Sequence, residues 1–139
     1  MNSLEKYGWN EKWTDCYGPY KNTHTIPARI IREGKGLFHA ISEKGKCLVE
    51  LSGGLRNLIE LGVSDQPVIG DWCAIHLYSD DRGLIESILP REKTLHRPVS
   101  KDEKRVIKDG RIVASNIEIA AVVIDAVNES SLRRAERFL

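Results

Sequence analysis

The sequence of 139 residues has few cysteines, little net charge and no long apolar run, and each absence excludes a class of protein. Its three cysteines form no Cys-x-x-Cys pair, so neither a disulfide framework nor a zinc site is expected. A net charge of +1 predicts no strong overall attraction to nucleic acid or to an anionic membrane, so such binding needs a local patch. No stretch approaches the roughly 20 apolar residues of a membrane span, and the amino terminus lacks a signal-peptide core. We therefore expect a cytoplasmic protein without a membrane partner.

Enzyme motifs are also missing from the sequence. It contains no Gly-x-x-x-x-Gly-Lys-Ser/Thr phosphate loop, no Gly-x-Ser-x-Gly and no His-Glu-x-x-His. The four histidines fall at no metal-ligand spacing. We therefore expect no catalytic residue, no metal ligand and no cofactor-binding residue in this chain.

What the sequence does contain, from Ile26 to Pro90, is a series of short strand-like segments separated by glycine-marked turns. In the clearest of them Cys73, Ile75 and Leu77 alternate with Trp72, Ala74 and His76, which is typical of a half-buried strand. A short helical pattern at Leu55–Gly62 interrupts the series. About five short strands predict a mainly β protein with an oligonucleotide-binding (OB) barrel over residues 26–97, and an SH3-like barrel is the alternative.

The segments on either side of this region differ from it in composition. Residues 1–25 hold most of the aromatic side chains and are predicted to form an arm. These aromatics could pack on the outside of the barrel, stack on nucleic-acid bases or remain disordered. At the other end the apolar run Ile117–Val127 predicts a strand buried on both faces, followed by a helix from Leu132. Residues 114–139 therefore look like the first strand and helix of an incomplete α/β domain.

The connecting residues 98–113 read as a basic linker, in which Asp109-Gly110 predicts a hairpin turn. From Arg91 to Arg111 there are eight Lys or Arg residues against four Asp or Glu residues. This run could be an ordinary solvated charge cluster, or it could contact nucleic-acid phosphates. The candidate RNA-binding residues from this run are Arg91, Lys93, Arg97, Lys101, Lys104 and Arg105. Arg56, in the short helical segment before it, is added to them.

Several short motifs occur together in a particular order. They are Ala28-Arg-Ile-Ile, Leu51-Ser-Gly53 with Leu55-Arg56, Ile69-Gly-Asp-Trp-Cys73, Leu89-Pro-Arg91 with Leu95-His-Arg97, Ala114-Ser-Asn-Ile-Glu118, and Leu132-Arg-Arg-Ala-Glu-Arg-Phe-Leu139. As an ordered set they resemble the N-terminal part of the ribosome small-subunit-dependent GTPases, the RsgA, YjeQ or EngC family. The resemblance covers residues 26–139 and ends before the GTP-binding motifs of that family.

The resemblance implies an OB barrel joined to a circularly permuted GTPase domain. It implies GTP, Mg and Zn for the full-length parent, which would be the GTP hydrolase, and no cofactor in this fragment. The implied role is late maturation of the small ribosomal subunit, with the barrel contacting 16S rRNA and with no DNA partner. An alternative from another class is a protein-interaction barrel without RNA binding, whose basic residues only increase solubility.

Overall fold

The computed structural model describes residues 3–97, 111–125 and 127–137. The chain forms two compact units, Met1–Arg91 and Glu92–Leu139. The first unit contains a closed barrel of five strands, and the second contains a two-stranded sheet.

The barrel strands are β1 (Ile26–Glu33), β2 (Phe38–Ser42), β3 (Gly45–Leu51), β4 (Trp72–Leu77) and β5 (Arg82–Ile88). The strand order is β1-β2-β3-β5-β4, and antiparallel pairing of β1 with β4 closes the barrel. Strands β3 and β5 pair in parallel, whereas the other neighbours are antiparallel. This closed five-stranded order confirms the predicted OB-fold barrel.

The alternation predicted for β4 is confirmed by its packing. Cys73 and Ile75 lie in the barrel core, where their neighbours include Ile30, Val49 and Ile85. Trp72 and Ala74 face outward and pack in a second apolar cluster that the N-terminal residues form against the barrel. One strand thus joins two cores because its side chains point to opposite faces.

The N-terminal residues form three short helical segments: a 3₁₀ turn at Glu5–Tyr7, α1 at Glu11–Cys16 and a second 3₁₀ turn at Gly18–Tyr20. Leu4, Trp9, Trp13 and Tyr17 are buried against Trp72 and Leu89. The prediction that the aromatic side chains pack outside the barrel is therefore confirmed.

Arg29 of β1 links this aromatic cluster to the barrel. Its guanidinium carbon lies 5.5 Å from the centroid of the Trp72 ring, within the range of a cation–π contact. The same side chain donates hydrogen bonds to the carbonyls of Tyr7 and Gly70, the latter at 3.2 Å. The N-terminal segment is thus held by apolar burial and by a polar contact from the barrel wall.

Helix α2 (Gly53–Glu60) lies between β3 and β4. It begins at Ser52, whose hydroxyl accepts a hydrogen bond from the backbone N–H of Leu55 at 3.1 Å. Leu55 inserts into the barrel core, and Gly62, with φ of 73°, follows the end of the helix. The short helix that the sequence predicts is therefore present.

In the second unit, β6 (Thr94–Arg97) pairs antiparallel with β7 (Arg111–Ser115). Residues 94–97, which the sequence interpretation included in the barrel, therefore pair with a strand of the second unit. Asn116 lies beside one end of this sheet, where its Oδ1 accepts from the N–H of Glu92 at 2.9 Å and its own N–H donates to the carbonyl of Lys93 at 2.6 Å. The predicted turn at Asp109-Gly110 lies outside the described residues.

The structure differs from the prediction of a strand at Ile117–Val127. The described residues of this run are not assigned to a strand, and Ile119, Val123 and Val127 are 86%, 96% and 94% exposed. A strand buried on both faces needs neighbouring strands and covering layers, and the described residues supply none for this run. The predicted helix is present as α3 (Glu129–Glu136), which begins after Asn128. None of the described helices is long and apolar enough to cross a membrane.

Candidate nucleic-acid interface

The candidate RNA-binding residues fall in both units. Arg56 and Arg91 belong to the first unit, and Lys93 and Arg97 belong to the second. Lys101, Lys104 and Arg105 lie outside the described residues, so their placement stays a prediction.

Arg91 is bound within the barrel unit. Its Nε donates to Asp71 Oδ1 at 2.8 Å and its Nη2 donates to Asp71 Oδ2 at 2.8 Å, which is the two-pronged geometry of a strong arginine–carboxylate pair. Further hydrogen bonds reach Asp65 Oδ2 at 3.1 Å and the Gln66 carbonyl at 2.7 Å. The Arg91 side chain is only 10% exposed, so its guanidinium has little freedom to reach a phosphate.

Asp71 is fully buried and also accepts a hydrogen bond from the backbone N–H of Val68 at 2.8 Å. It thereby fixes the turn into β4 and holds the chain at Arg91, where the first unit ends. We call this pair the Asp71–Arg91 clasp. Donation to Asp71 raises the pKa of Arg91 above its usual value, despite partial burial. Arg91 therefore stays charged, and the clasp supports the fold.

The Cys73 thiol, near Asp71, also has a shifted pKa. Burial raises the pKa of the Cys73 thiol well above its usual value, and the nearby Asp71 carboxylate raises it further. Cys73 is fully buried in the barrel core. The thiol is thus held in its neutral form and offers neither a nucleophile nor a metal ligand at neutral pH.

The remaining described candidates are exposed. Arg56 lies on α2 directly after the inward-facing Leu55. Lys93 directly precedes β6, and Arg97 is the last residue of that strand. Among the described residues, none of these three side chains forms a hydrogen bond or an ion pair with another. Free exposed cations are the groups that can neutralise phosphates.

Arg111, the last residue of the basic run, lies at a place in the fold that the sequence did not predict. Arg111 is exposed and lies directly opposite Arg97 in the β6–β7 pairing. The residues that the Asp109-Gly110 hairpin would pair with β7 lie outside the described residues, so that pairing stays a prediction. Sequence proximity to the turn gave no sign that Thr94–Arg97 would be the partner of β7.

The barrel surface carries further exposed side chains on the elements that OB folds use for oligonucleotides, namely the β2–β3 face and the β1–β2 and β4–β5 loops. The cations there are Arg32, Lys35, Lys44, Lys46 and Arg82. Tyr78, directly after β4, is 57% exposed and is the exposed aromatic ring of this region. Acidic residues are interspersed, among them Asp80 and Asp81. The charge of this surface is therefore mixed.

In residues 3–97, 111–125 and 127–137, no three His, Cys, Asp or Glu side chains are grouped so that they could hold a metal ion. The sequence has no phosphate loop. The expectation that this fragment holds no zinc, magnesium or GTP stays a prediction.

No protein-family model matches the chain. Curated proteins do match it along nearly its whole length. The small ribosomal subunit biogenesis GTPase RsgA of Syntrophotalea carbinolica is 30% identical over 142 residues, covering 99% of this chain and 38% of the relative. RsgA 1 of Bacteroides thetaiotaomicron is 34% identical over 139 residues, covering 99% of this chain and 37% of the relative.

A comparison with solved structures finds the crystal structure of YloQ, a circularly permuted GTPase. It is 19% identical, with a TM-score of 0.44, and the match covers 55% of this chain and 26% of YloQ. The chain spans less than two fifths of the length of the curated relatives above. The curated matches confirm the resemblance carried by the ordered motifs: along 99% of its length the chain is similar to part of the RsgA-family GTPases.

Proposed function

We propose that this chain is the RNA-contacting region of a small ribosomal subunit biogenesis GTPase, acting in the cytoplasm on the small subunit through 16S rRNA late in its maturation. The observation that carries the proposal is the similarity over 99% of the chain to proteins named for that process. The OB barrel supports it, because such barrels commonly bind oligonucleotides. DNA and membranes are not proposed as partners.

GTP hydrolysis belongs, in this proposal, to the parts of the relatives that this chain does not cover. The same parts would bind GTP, magnesium and zinc. The sequence contains no phosphate loop to cradle a nucleotide. We therefore expect the 139-residue chain to bind RNA and to leave GTP intact.

The binding itself would be mainly electrostatic. Arg56, Lys93 and Arg97 are exposed cations without a described acidic partner, and the barrel surface adds others. Such contacts position an RNA backbone without reading its sequence. Because the net charge is only +1, few phosphates can be neutralised and the affinity should be modest.

A filter-binding titration of the chain with small-subunit rRNA tests the proposal. With three to five phosphates neutralised, the logarithm of the binding constant should fall with the logarithm of salt concentration with a slope of about −2 to −4. A flat response between low and moderate salt would contradict the proposal and would favour a protein-interaction barrel.

Charge-reversal variants in the same titration test which cations contact phosphates. Arg56→Glu with Lys93→Glu should weaken binding and flatten the salt dependence, whereas Lys21→Glu, an equally exposed cation in the N-terminal segment, should have little effect. Arg91→Glu is unsuitable because it would place a second carboxylate against the buried Asp71. If the Arg56→Glu with Lys93→Glu variant and the Lys21→Glu control weakened RNA binding equally, this would argue against specific phosphate contacts.

A further inference from the structure

The β6–β7 sheet places two arginines side by side. Arg97 and Arg111 are direct partners in the antiparallel register, although 13 residues separate them in the sequence. Residues directly opposite in such a pair have Cα atoms about 4.5–5.5 Å apart and side chains on the same face. Two guanidinium groups therefore project from one face at one end of this sheet.

This arrangement does not favour the fold. Like charges directly opposite one another destabilise a strand pair, and the two strands that the described residues form in this sheet are marginal by themselves. Both side chains are exposed, and neither forms a hydrogen bond or an ion pair with any residue that the structure describes. A feature that weakens the local fold, with no compensating contact in the described part of the chain, is typical of a functional site.

We infer that Arg97 and Arg111 form a two-arginine site for backbone phosphates of RNA, an inference that rests on the proposed function. Each guanidinium presents a planar fork of N–H donors that matches phosphate oxygens. Two forks on one face can hold one phosphate between them or two successive phosphates. A bound phosphate would also remove the repulsion between the two cations.

The opposite end of the sheet is held by protein contacts. Asn116 bonds to the backbone of Glu92 and Lys93, and this fixes the start of β6 relative to the end of β7. Lys93 is exposed there, four residues before Arg97 and therefore about 13 Å from it along the strand. The cations at the two ends of the sheet give a short track for a phosphate backbone.

The test is a salt titration of RNA binding by Arg97→Gln with Arg111→Gln, using the 139-residue chain and small-subunit rRNA. Loss of one or two phosphate contacts should reduce the magnitude of the salt slope by about 1 to 2. At low salt the affinity should fall by roughly tenfold, as expected when one or two contacts are lost. The matched control is Arg133→Gln with Arg134→Gln, two exposed cations of α3 in the same unit. The control should leave the slope unchanged.

Amide hydrogen exchange distinguishes a loss of phosphate contacts from a loss of the β6–β7 sheet in the Arg97–Arg111 variant. The Arg97–Arg111 variant removes a repulsive pair, so exchange at Leu95 and Ala114 of the sheet should be unchanged or slower. Faster exchange together with weaker binding would show that the arginines support the sheet, and it would overturn the inference.

The remaining outcomes are equally decisive. If the unaltered chain binds RNA with a steep salt dependence and both double variants behave alike, the two-arginine site is wrong and the proposed function stands. If the unaltered chain shows no salt-dependent binding, both fail.

Discussion

The guanidinium of Arg91 and the carboxylate of Asp71 form a buried, two-pronged ion pair, with both N–O distances at 2.8 Å. The two residues are 20 positions apart and join the turn before β4 to the end of the barrel unit. Both belong to motifs that support the family resemblance, Gly-Asp-Trp and Leu-Pro-Arg. These two motif positions therefore have a structural role in the barrel unit.

Removing one partner of the clasp should destabilise the barrel strongly. Arg91→Ala leaves the fully buried Asp71 without its counter-charge, and breaking a buried pair in this way typically costs about 3–5 kcal/mol. Urea unfolding should show this loss, whereas Arg56→Ala, at an exposed position, should stay within about 0.5 kcal/mol of the unaltered chain.

The double variant Asp71→Ala with Arg91→Ala completes the cycle. Because it removes both charges, its loss of stability should be smaller than the sum of the two single losses. Equal stability of Arg91→Ala and Arg56→Ala would contradict the clasp.

The three tryptophans should not report RNA binding by base stacking. Trp9, Trp13 and Trp72 are 7%, 4% and 1% exposed, and the Trp9 and Trp72 ring centroids are 4.8 Å apart in an edge-to-face arrangement. Acrylamide should quench their fluorescence weakly in the folded chain and strongly in urea. Saturating RNA should change the emission little; strong quenching on binding would support stacking by the N-terminal aromatics instead.

Substitution by alanine should change the stability of the chain in opposite directions at two glycines, Gly83 and Gly53. At Gly83 a Cβ would lie 2.5 Å from the carbonyl oxygen of His76 on the neighbouring strand, so Gly83→Ala should destabilise the β4–β5 seam by about 1–3 kcal/mol. At Gly53, the first residue of α2, nothing lies within 4 Å of that position. Gly53→Ala should stabilise the chain by about 0.4–1 kcal/mol. Thermal unfolding of both variants checks this, and a neutral Gly83→Ala would show that the seam is not close-packed there.

Alkaline pH should destabilise the barrel through Cys47. Burial, with a smaller contribution from Asp81, raises the pKa of the Cys47 thiol from 9.0 to about 11. Because the unfolded thiol ionises first, this contribution to stability is complete below pH 9 and is lost as pH rises towards 11. The pH dependence of urea unfolding should therefore be shallower in Cys47→Ser between these values. Identical slopes for the two proteins would contradict a raised pKa.

Much of the barrel could be predicted because its signals are local. The alternation around Cys73 and Ile75 reflects two different cores, and the helix signal near Leu55 reflects burial of one apolar face. The clasp could not be predicted, since nothing in a run of basic residues distinguishes Arg91, which is buried against a carboxylate, from the exposed Lys93.

The second unit was harder to predict for a related reason. The turn signal at Asp109-Gly110 is local, whereas the pairing of Arg111 with Arg97 depends on a partner more distant in the sequence. The apolar content of Ile117–Asp125 predicts a strand correctly only where other strands are present to pair with it. Patterns specify what a segment buries; they do not specify its partner.

Co-sedimentation with purified ribosomal subunits tests the central claim most directly. At low salt the 139-residue chain should sediment with small subunits in preference to large ones. It should be released by moderate salt, because the contacts are mainly to phosphates. Equal association with both subunits, or no association with small subunits at low salt, would contradict the account.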